Sequence, residues 1–298
     1  MSKICDQITE RILKVMDNGE IPWKKAWVTP QGSVSHATGK PYSLLNQLLL
    51  LDEDEVVTDV VSFKSREFAT FNQIKAEGGH IKKGSKSKWL VFSKEWKKES
   101  TDAETGDKTV EVIPVLRWYN VFEVGCCEGI KRKYEPERFD NDPIAEAERV
   151  IDEYFNREDC TLEVTETGRA SYSPSKDRVK MPMLSQFTTA EAYYSTIFHE
   201  MVHSTGASGR CDRDLKLLDE SREDYSKEEL VAELGAAYMM NRLGLDNSKT
   251  EHNAAGYLQS WMKALQNDRR MFVSAAAKAE AAVNYILGIE MLNVHSKK

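Results

Sequence analysis

Cysteine, long apolar runs and internal repeats are all scarce or missing in this chain, and each shortage closes off a class of protein. Five cysteines occur among 298 residues, at Cys5, Cys126, Cys127, Cys160 and Cys211, with no C-x-x-C pair. An odd, scattered set supports neither a disulfide framework nor a cysteine zinc site, and reduced thiols fit a cytosolic setting. The adjacent Cys126 and Cys127 read as small buried apolar residues. No apolar run approaches the roughly 20 residues that cross a bilayer, so no membrane contact is expected. Residues 1–14 lack the basic end, apolar middle and small-residue cleavage site of a secretory leader. A cytoplasmic location is therefore expected. No low-complexity tract interrupts the chain, and 41% hydrophobic with 9% aromatic residues suffices for packed cores. The length allows one large or two ordinary domains.

An excess of positive charge is also lacking, since the formal net charge is -7. The balance is uneven, however. Residues 1–140 carry 22 Lys+Arg against 22 Asp+Glu, so the deficit lies in the remainder. Within residues 64–98 ten basic side chains face only three acidic ones, Glu67, Glu77 and Glu95. A local basic cluster in an acidic chain suggests a polyanion site rather than a globally basic binder.

The patterning divides the chain near residue 140. Ile4, Ile8, Ile12 and Met16 repeat at helical spacing, and Ile21-Pro22 stops that helix. Residues 42–51 read as a leucine-rich buried helix. Thr70 with Gln73 forms a capping box for a short helix ending at Gly78-Gly79. Residues 89–92 and 115–124 read as strands, with the polar stretch 95–110 between them as a solvent-exposed excursion. Residues 131–142 are charged and contain Pro136. Asp142-Pro143 then looks like an N-cap and first helical residue, with Ile144, Val150, Ile151, Tyr154 and Phe155 as the apolar face. Strands are expected at 161–165 and 178–181. Helices should open at Thr189 and at Ser226, and two more should fill residues 252–287. The expected fold class is α+β with two domains, 1–140 and 141–298, the second a few strands followed mostly by helix.

The second part contains Phe198-His199-Glu200-Met201-Val202-His203. Imidazoles four apart on a helix lie on one side, one turn from each other, and can share an ion. Glu200 lies beside them, within reach of a water as general base. A catalytic zinc normally takes three protein ligands and keeps one position open. The next helix supplies Glu229 as third ligand, and Glu233, four further on, would hydrogen-bond a ligand histidine. Ser226 stands three before Glu229, so a capping box is the bland alternative; Glu228 reads as a solvated neighbour. The expected cofactor is one divalent ion, Zn2+ first, although Mn2+ or Co2+ suits the same ligands. His252 and Tyr257 fit surface or core roles better than catalytic ones, and His36, His80 and His295 receive no role.

The first part interleaves cations with aromatic rings. Lys82, Lys83, Lys86, Lys88, Lys94, Lys97 and Lys98 alternate with Trp89, Phe92 and Trp96, and Lys24 and Lys25 lie between Trp23 and Trp27. Such a mixture serves sequence-tolerant binding of single strands. Tryptophans in the core under a solvated lysine face explain the composition equally well.

Many ordered motifs give the chain a resemblance over essentially its full length. They are Ile21-Pro22-Trp23-Lys24-Lys25-Ala26-Trp27, Thr38-Gly39-Lys40-Pro41-Tyr42 with Asn46, Thr70-Phe71-Asn72-Gln73, Gly78-Gly79-His80-Ile81-Lys82-Lys83-Gly84 and Tyr119-Asn120-Val121-Phe122. The second half adds Ala170-Ser171-Tyr172, Asp177-Arg178-Val179-Lys180-Met181-Pro182, Tyr193-Tyr194-Ser195-Thr196 and the histidine motif. Together they resemble the ArdC-type antirestriction proteins of conjugative plasmids, whose first half is also similar to conjugative primases. The resemblance implies an N-terminal α+β domain that holds single-stranded DNA nonspecifically, with Trp23, Trp27, Lys40, Tyr42, Lys82, Lys83, Lys86, Lys88 and Trp89 as its contacts. It implies a C-terminal, mostly helical zincin-like metallopeptidase with a small sheet, in which Glu229-Leu230-Val231-Ala232-Glu233 is similar to the third-ligand helix of gluzincins. The implied role is protection of incoming DNA from host restriction. Host restriction proteins or another peptide are the substrates this suggests. The competing reading is a DNA-binding shield or restriction decoy whose metal is structural or serves a separate task.

Overall fold

The computed structural model describes residues 3–17, 21, 32–50, 67–101, 108–134, 143–166, 169–213, 215, 222–246 and 254–289. Trp23, Trp27, His252, His295 and the charged stretch 135–142 lie outside them. No helix among the described residues is long and apolar enough to cross a membrane.

Helix α1 (Lys3–Asp17) buries Ile4, Ile8, Ile12 and Met16, the residues its spacing places on one face. Helix α2 (Leu44–Leu50) is buried at all seven positions, and Asn46 on it exchanges two hydrogen bonds with the backbone of Val91, of 2.8 and 2.9 Å. Two short strands, β1 (Val34–Ser35) and β2 (Glu67–Ala69), pair in parallel. Helix α3 (Phe71–Ala76) carries the reciprocal Thr70–Gln73 capping box. It ends at Gly78, whose φ of 79° suits a residue without a side chain. Strand β3 (His80–Ile81) follows, and then the long strands β4 (Lys88–Thr101) and β5 (Lys108–Glu123). The main sheet runs β1-β2-β5-β4, while β3 pairs separately with β6 (Cys127–Glu128).

Residues 95–101 and 108–110 belong to the strands of this hairpin. The antiparallel ladder continues unbroken from Lys88↔Val121 through Glu95↔Pro114 to Thr101↔Lys108. Backbone pairing and β-branched Thr109, Val110, Val112 and Ile113 extend the hairpin although no one-sided apolar alternation announces it. Of the paired cysteines, Cys127 is buried and Cys126 half-buried.

The second half begins with α4 (Pro143–Arg157). Val150, Ile151 and Tyr154 are buried, but Ile144 is 44% exposed, because the first turn stands clear of the core. A three-stranded sheet follows, in the order β7-β9-β8, from β7 (Thr161–Thr165), β8 (Ser171–Ser173) and β9 (Arg178–Pro182). Three-residue β8 is too short to show alternation in the sequence. Four helices complete the chain: α5 (Ala190–Ser204), α6 (Arg222–Leu243), α7 (Ala254–Asn267) and α8 (Met271–Ile286).

The halves meet along one core. Leucines of α2 and isoleucines of α1 join the same apolar cluster as Trp261, Phe272, Ala276 and Val283. Polar contacts reinforce the seam. Thr9 donates to the Arg269 carbonyl at 2.8 Å, and Glu280 of α8 accepts from the Leu44 amide at 3.2 Å, satisfying one open donor of the α2 terminus.

One buried polar cluster holds the first half together. His36 is fully buried, with Nδ1 against the Glu67 carboxylate and Nε2 3.0 Å from Glu77 Oε2. Glu67, 1% exposed, also accepts from the backbone amides of Lys133 and Tyr134 at 3.0 and 3.1 Å. The imidazole thus joins the β1–β2 pair to the end of α3 and to the segment after β6. His36→Ala should leave a buried carboxylate short of its side-chain partner. We expect a loss on the order of 3 kcal/mol, read as a lower urea midpoint with an unchanged denaturant slope.

Candidate metal centre

Helix α5 carries the histidine pair through the buried core of the second half. Thr189 caps it, accepting from the Ala192 amide at 3.1 Å, and every residue from Ile197 to Ser204 is buried. A helix buried on all sides cannot be recognised by an apolar stripe. It is bracketed instead by polar anchors. At its C-terminal end Arg210 donates to the Ser204 carbonyl (2.8 Å), to both Asp177 oxygens (2.8 and 2.5 Å) and to Glu158 Oε2 (3.0 Å). Those bonds join α5 to α4 and to the turn before β9. The Arg210 guanidinium holds the Asp177 carboxyl below the usual range, against the upward push of burial.

His199 and His203 face each other with Nε2 atoms 3.1 Å apart. Helix α6 crosses beside them and delivers Glu229, whose Oε1 stands 3.4 Å from His203 Nε2 and whose Oε2 stands 3.6 Å from His199 Nε2. The close approach depends on Gly235: a Cβ there would meet Val202 Cγ2 of α5 at 2.7 Å. His199, His203 and Glu229 are the group among the described residues whose ligand atoms all lie within 4.8 Å of one another. Tetrahedral ligand bonds of about 2.0–2.1 Å require ligand-to-ligand edges of about 3.3–3.4 Å, and two nitrogens 3.1 Å apart with one Glu229 oxygen near each come close enough to share a divalent cation.

Ser226 sits inside α6, one turn beyond its start at Arg222, rather than at its N-cap. The capping-box alternative for Glu229 therefore falls away. Glu233, one turn beyond Glu229, lies 3.6 Å from His199 Nδ1. Glu200 follows His199 directly and is 8% exposed, as are His199 and His203.

The electrostatics favour positive charge at the imidazoles. Burial alone lowers the His203 pKa, but its hydrogen bonds to Glu228 and Glu229 outweigh burial and raise it to about 10. His199 is likewise raised, its desolvation overcome chiefly by Glu229. Burial pushes Glu229 up, yet the two imidazoles pull it below its ordinary value. A cation bound to the same atoms takes over the role of those protons, so uptake must release them.

Two residues of the site have no signature in the sequence. Glu228, expected to be a solvated neighbour, is buried, and its Oε1 lies 3.2 Å from His203 Nδ1. Arg213, from the loop after α5, grips that carboxylate. Adjacent glutamates within a helix look alike in sequence; only the loop that brings an arginine to one of them separates their roles.

Among the residues expected to contact DNA, Lys40, Lys82, Lys83 and Lys86 are exposed, whereas Lys88, Trp89 and Tyr42 are half-buried. Trp89 and Tyr42 pack against the main core, and the Tyr42 hydroxyl lies 3.4 Å from the Phe68 carbonyl. Burial lowers the Lys88 pKa.

Comparison with known proteins matches both halves of this arrangement. Residues 2–122 match the N-terminal domain of the anti-restriction factor ArdC, and residues 149–278 match the zincin-like metallopeptidases. In solved structures, the metal-free antirestriction ArdC protein from plasmid R388 superposes with a TM-score of 0.70 at 29% identity, over 96% of this chain and 97% of that one. By both halves and by overall fold, this chain resembles the ArdC type. The Mn(II)-bound structure of the R388 protein matches with the same TM-score of 0.70, at 26% identity and with the same coverage of each chain, 96% and 97%. A zincin-like domain whose structural neighbour holds Mn(II) agrees with a divalent ion at the His199–His203–Glu229 cluster. Two DNA primases TraC of Escherichia coli are 29% and 27% identical over 98% and 96% of the chain, which spans only 28% and 20% of their lengths. An uncharacterised protein of Sinorhizobium fredii is 28% identical over 95% of this chain and 91% of its own length.

Proposed function

We propose that this ArdC-type chain is an antirestriction protein that holds single-stranded DNA through residues 1–140 and carries a zinc-class metallopeptidase site in residues 141–298. The observation that supports the second half of this reading is the meeting of Glu229, from α6, with both Nε2 atoms of a pair on α5. His199, His203 and Glu229 would hold the ion, leaving Glu200 beside them for the proton. A divalent cation of this kind supplies Lewis acidity and makes a water acidic near neutral pH. Glu200 takes a proton from the attacking water and returns it to the departing amine. Glu228 orients the His203 imidazole through its Nδ1 atom, and the Glu233 carboxylate faces Nδ1 of His199 at 3.6 Å. Elemental analysis of purified protein tests the metal assignment: one divalent ion per chain, removable by chelator together with peptidase activity, is the expected result.

What supports nucleic-acid binding by the first half is a set of exposed cations, Lys40, Lys82, Lys83 and Lys86, together with an exposed tryptophan ring. Across the β4–β5 ladder Trp89 opposes Asn120 and Trp118 opposes Val91, which makes the two tryptophans diagonal neighbours on one sheet face. Trp118 is 56% exposed, which suits its ring to stacking on a base and lets substitution leave the fold intact. Nonspecific oligonucleotide binding should weaken steeply with salt. Lys82→Ala with Lys83→Ala should lower the log–log salt slope by about 1.4, and Trp118→Ala should cost about 1–3 kcal/mol of affinity with the slope unchanged. An unaltered titration for all these variants would move the DNA site elsewhere.

A further inference from the structure

Arg213 touches none of the metal-ligand atoms, yet it is buried within the same cluster at 8% exposure. Each of its three guanidinium nitrogens donates. Nε donates to Glu228 Oε2 at 3.0 Å and Oε1 at 3.2 Å, and Nη2 donates to Oε1 at 2.8 Å. Nη2 also donates to the Val202 carbonyl at 2.6 Å, and Nη1 to Thr205 Oγ1 at 2.8 Å. One side chain therefore binds the Glu228 carboxylate to the last turn of α5, the turn that carries His203.

Glu228 Oε1 is in turn 3.2 Å from His203 Nδ1. A carboxylate only accepts, so Nδ1 carries a proton toward Glu228, and an ion that displaced the Nε2 proton would meet a lone pair at Nε2, beside His199 and Glu229. Without the arginine two things would change. Glu228 would be a buried carboxylate beside Glu229, and like charges would press it to rotate or to compete for the ion. The carboxylate would also lose the tie that fixes its distance from the imidazole.

We propose that Arg213 is a positioning residue of the metal centre: acting through Glu228, it fixes the tautomer and rotamer of His203 and keeps Glu228 from becoming a ligand. This rests on the assignment of His199, His203 and Glu229 as metal ligands. The expected consequence concerns affinity for the ion, not catalysis alone. Outer partners of ligating histidines typically account for 10–100-fold in metal affinity. A merely structural ion pair would lower the melting midpoint of the metal-free chain and leave the affinity of the folded form unchanged.

The test is a chelator-competition titration of metal-free full chain with Co2+ and with Mn2+, run well below each variant's own melting midpoint, with the Co2+ absorption band recorded at saturation. The variants are Arg213→Ala, Arg213→Lys and Glu228→Gln. Lysine keeps the charge but not the fork, and glutamine keeps the volume, so both cover the case in which the alanine variant fails to fold. Expected are a 10–100-fold weaker Co2+ affinity in every folded variant and a changed Co2+ band in Glu228→Gln. Wild-type affinity and band shape in folded Arg213→Lys and Glu228→Gln would overturn the proposal while leaving the metal site intact. Failure of wild-type protein to take up either ion would overturn the metal reading and this inference together.

Discussion

Glu200→Gln is expected to bind its divalent ion as tightly as the wild type while losing peptidase activity on the order of 10²–10⁴-fold. The residue lies next to His199 in the sequence, is 8% exposed, and is not part of the cluster formed by His199, His203 and Glu229. Glutamine has nearly the same shape but cannot take a proton at this pH. The loss should appear in kcat, with KM on a labelled peptide library little changed, because the group acts on a proton rather than on substrate binding. Full activity in the variant would remove Glu200 from its role as base. The same protein separates the two readings of antirestriction. If Glu200→Gln still protects plasmid DNA entering a restricting host, protection follows from binding DNA, as in a shield or decoy. If protection disappears while oligonucleotide affinity stays, hydrolysis is part of the mechanism.

How much of this could be read from the sequence depends on how locally each feature is encoded. The pairing of His199 with His203 lies within one helix, and a spacing of four is enough to bring two imidazoles together. Helix α1 and the Thr70–Gln73 cap are equally local, and they stand where the spacing puts them. Glu229 was legible only as a choice among three glutamates in six residues. What selects it is tertiary: Gly235 lets α6 lie against Val202, and that approach turns Glu229 rather than Glu228 toward both Nε2 atoms. Glu228 and Arg213 were illegible because their partnership closes through a loop with no periodicity. His36 was illegible for the same reason, since its partners lie 31 and 41 residues away. The extension of the β4–β5 hairpin through residues 95–101 and 108–110 escaped notice because a two-stranded ladder rests on backbone pairing. Alternation appears in a sequence only where one face is covered.

The separation between Glu229 and its neighbours leads to the last expectation. Glu229→Ala should remove one of three ligand atoms and leave two imidazoles whose Nε2 atoms are 3.1 Å apart with no carboxylate between them. Metal affinity should fall by more than about 100-fold, beyond what loss of an outer partner produces. The stability readout follows by mass action: an ion present at 100 times its dissociation constant stabilises the folded chain by about 2.7 kcal/mol. Addition of Zn2+ or Mn2+ at that ratio should raise the wild-type melting midpoint and leave the variant's in place. The direction of the metal-free effect can also be stated. In the metal-free chain the imidazoles hold the Glu229 carboxyl below its ordinary value despite burial. Its contribution to stability is therefore present above the ordinary carboxylate range and lost as pH falls through its lowered pKa. The alanine variant lacks that contribution, so its metal-free melting midpoint should lie below wild type at pH 7 and the gap should narrow on acidification. A variant that keeps the wild-type midpoint shift with metal would show that the ion rests on other groups, and the gluzincin-like arrangement would have to be abandoned.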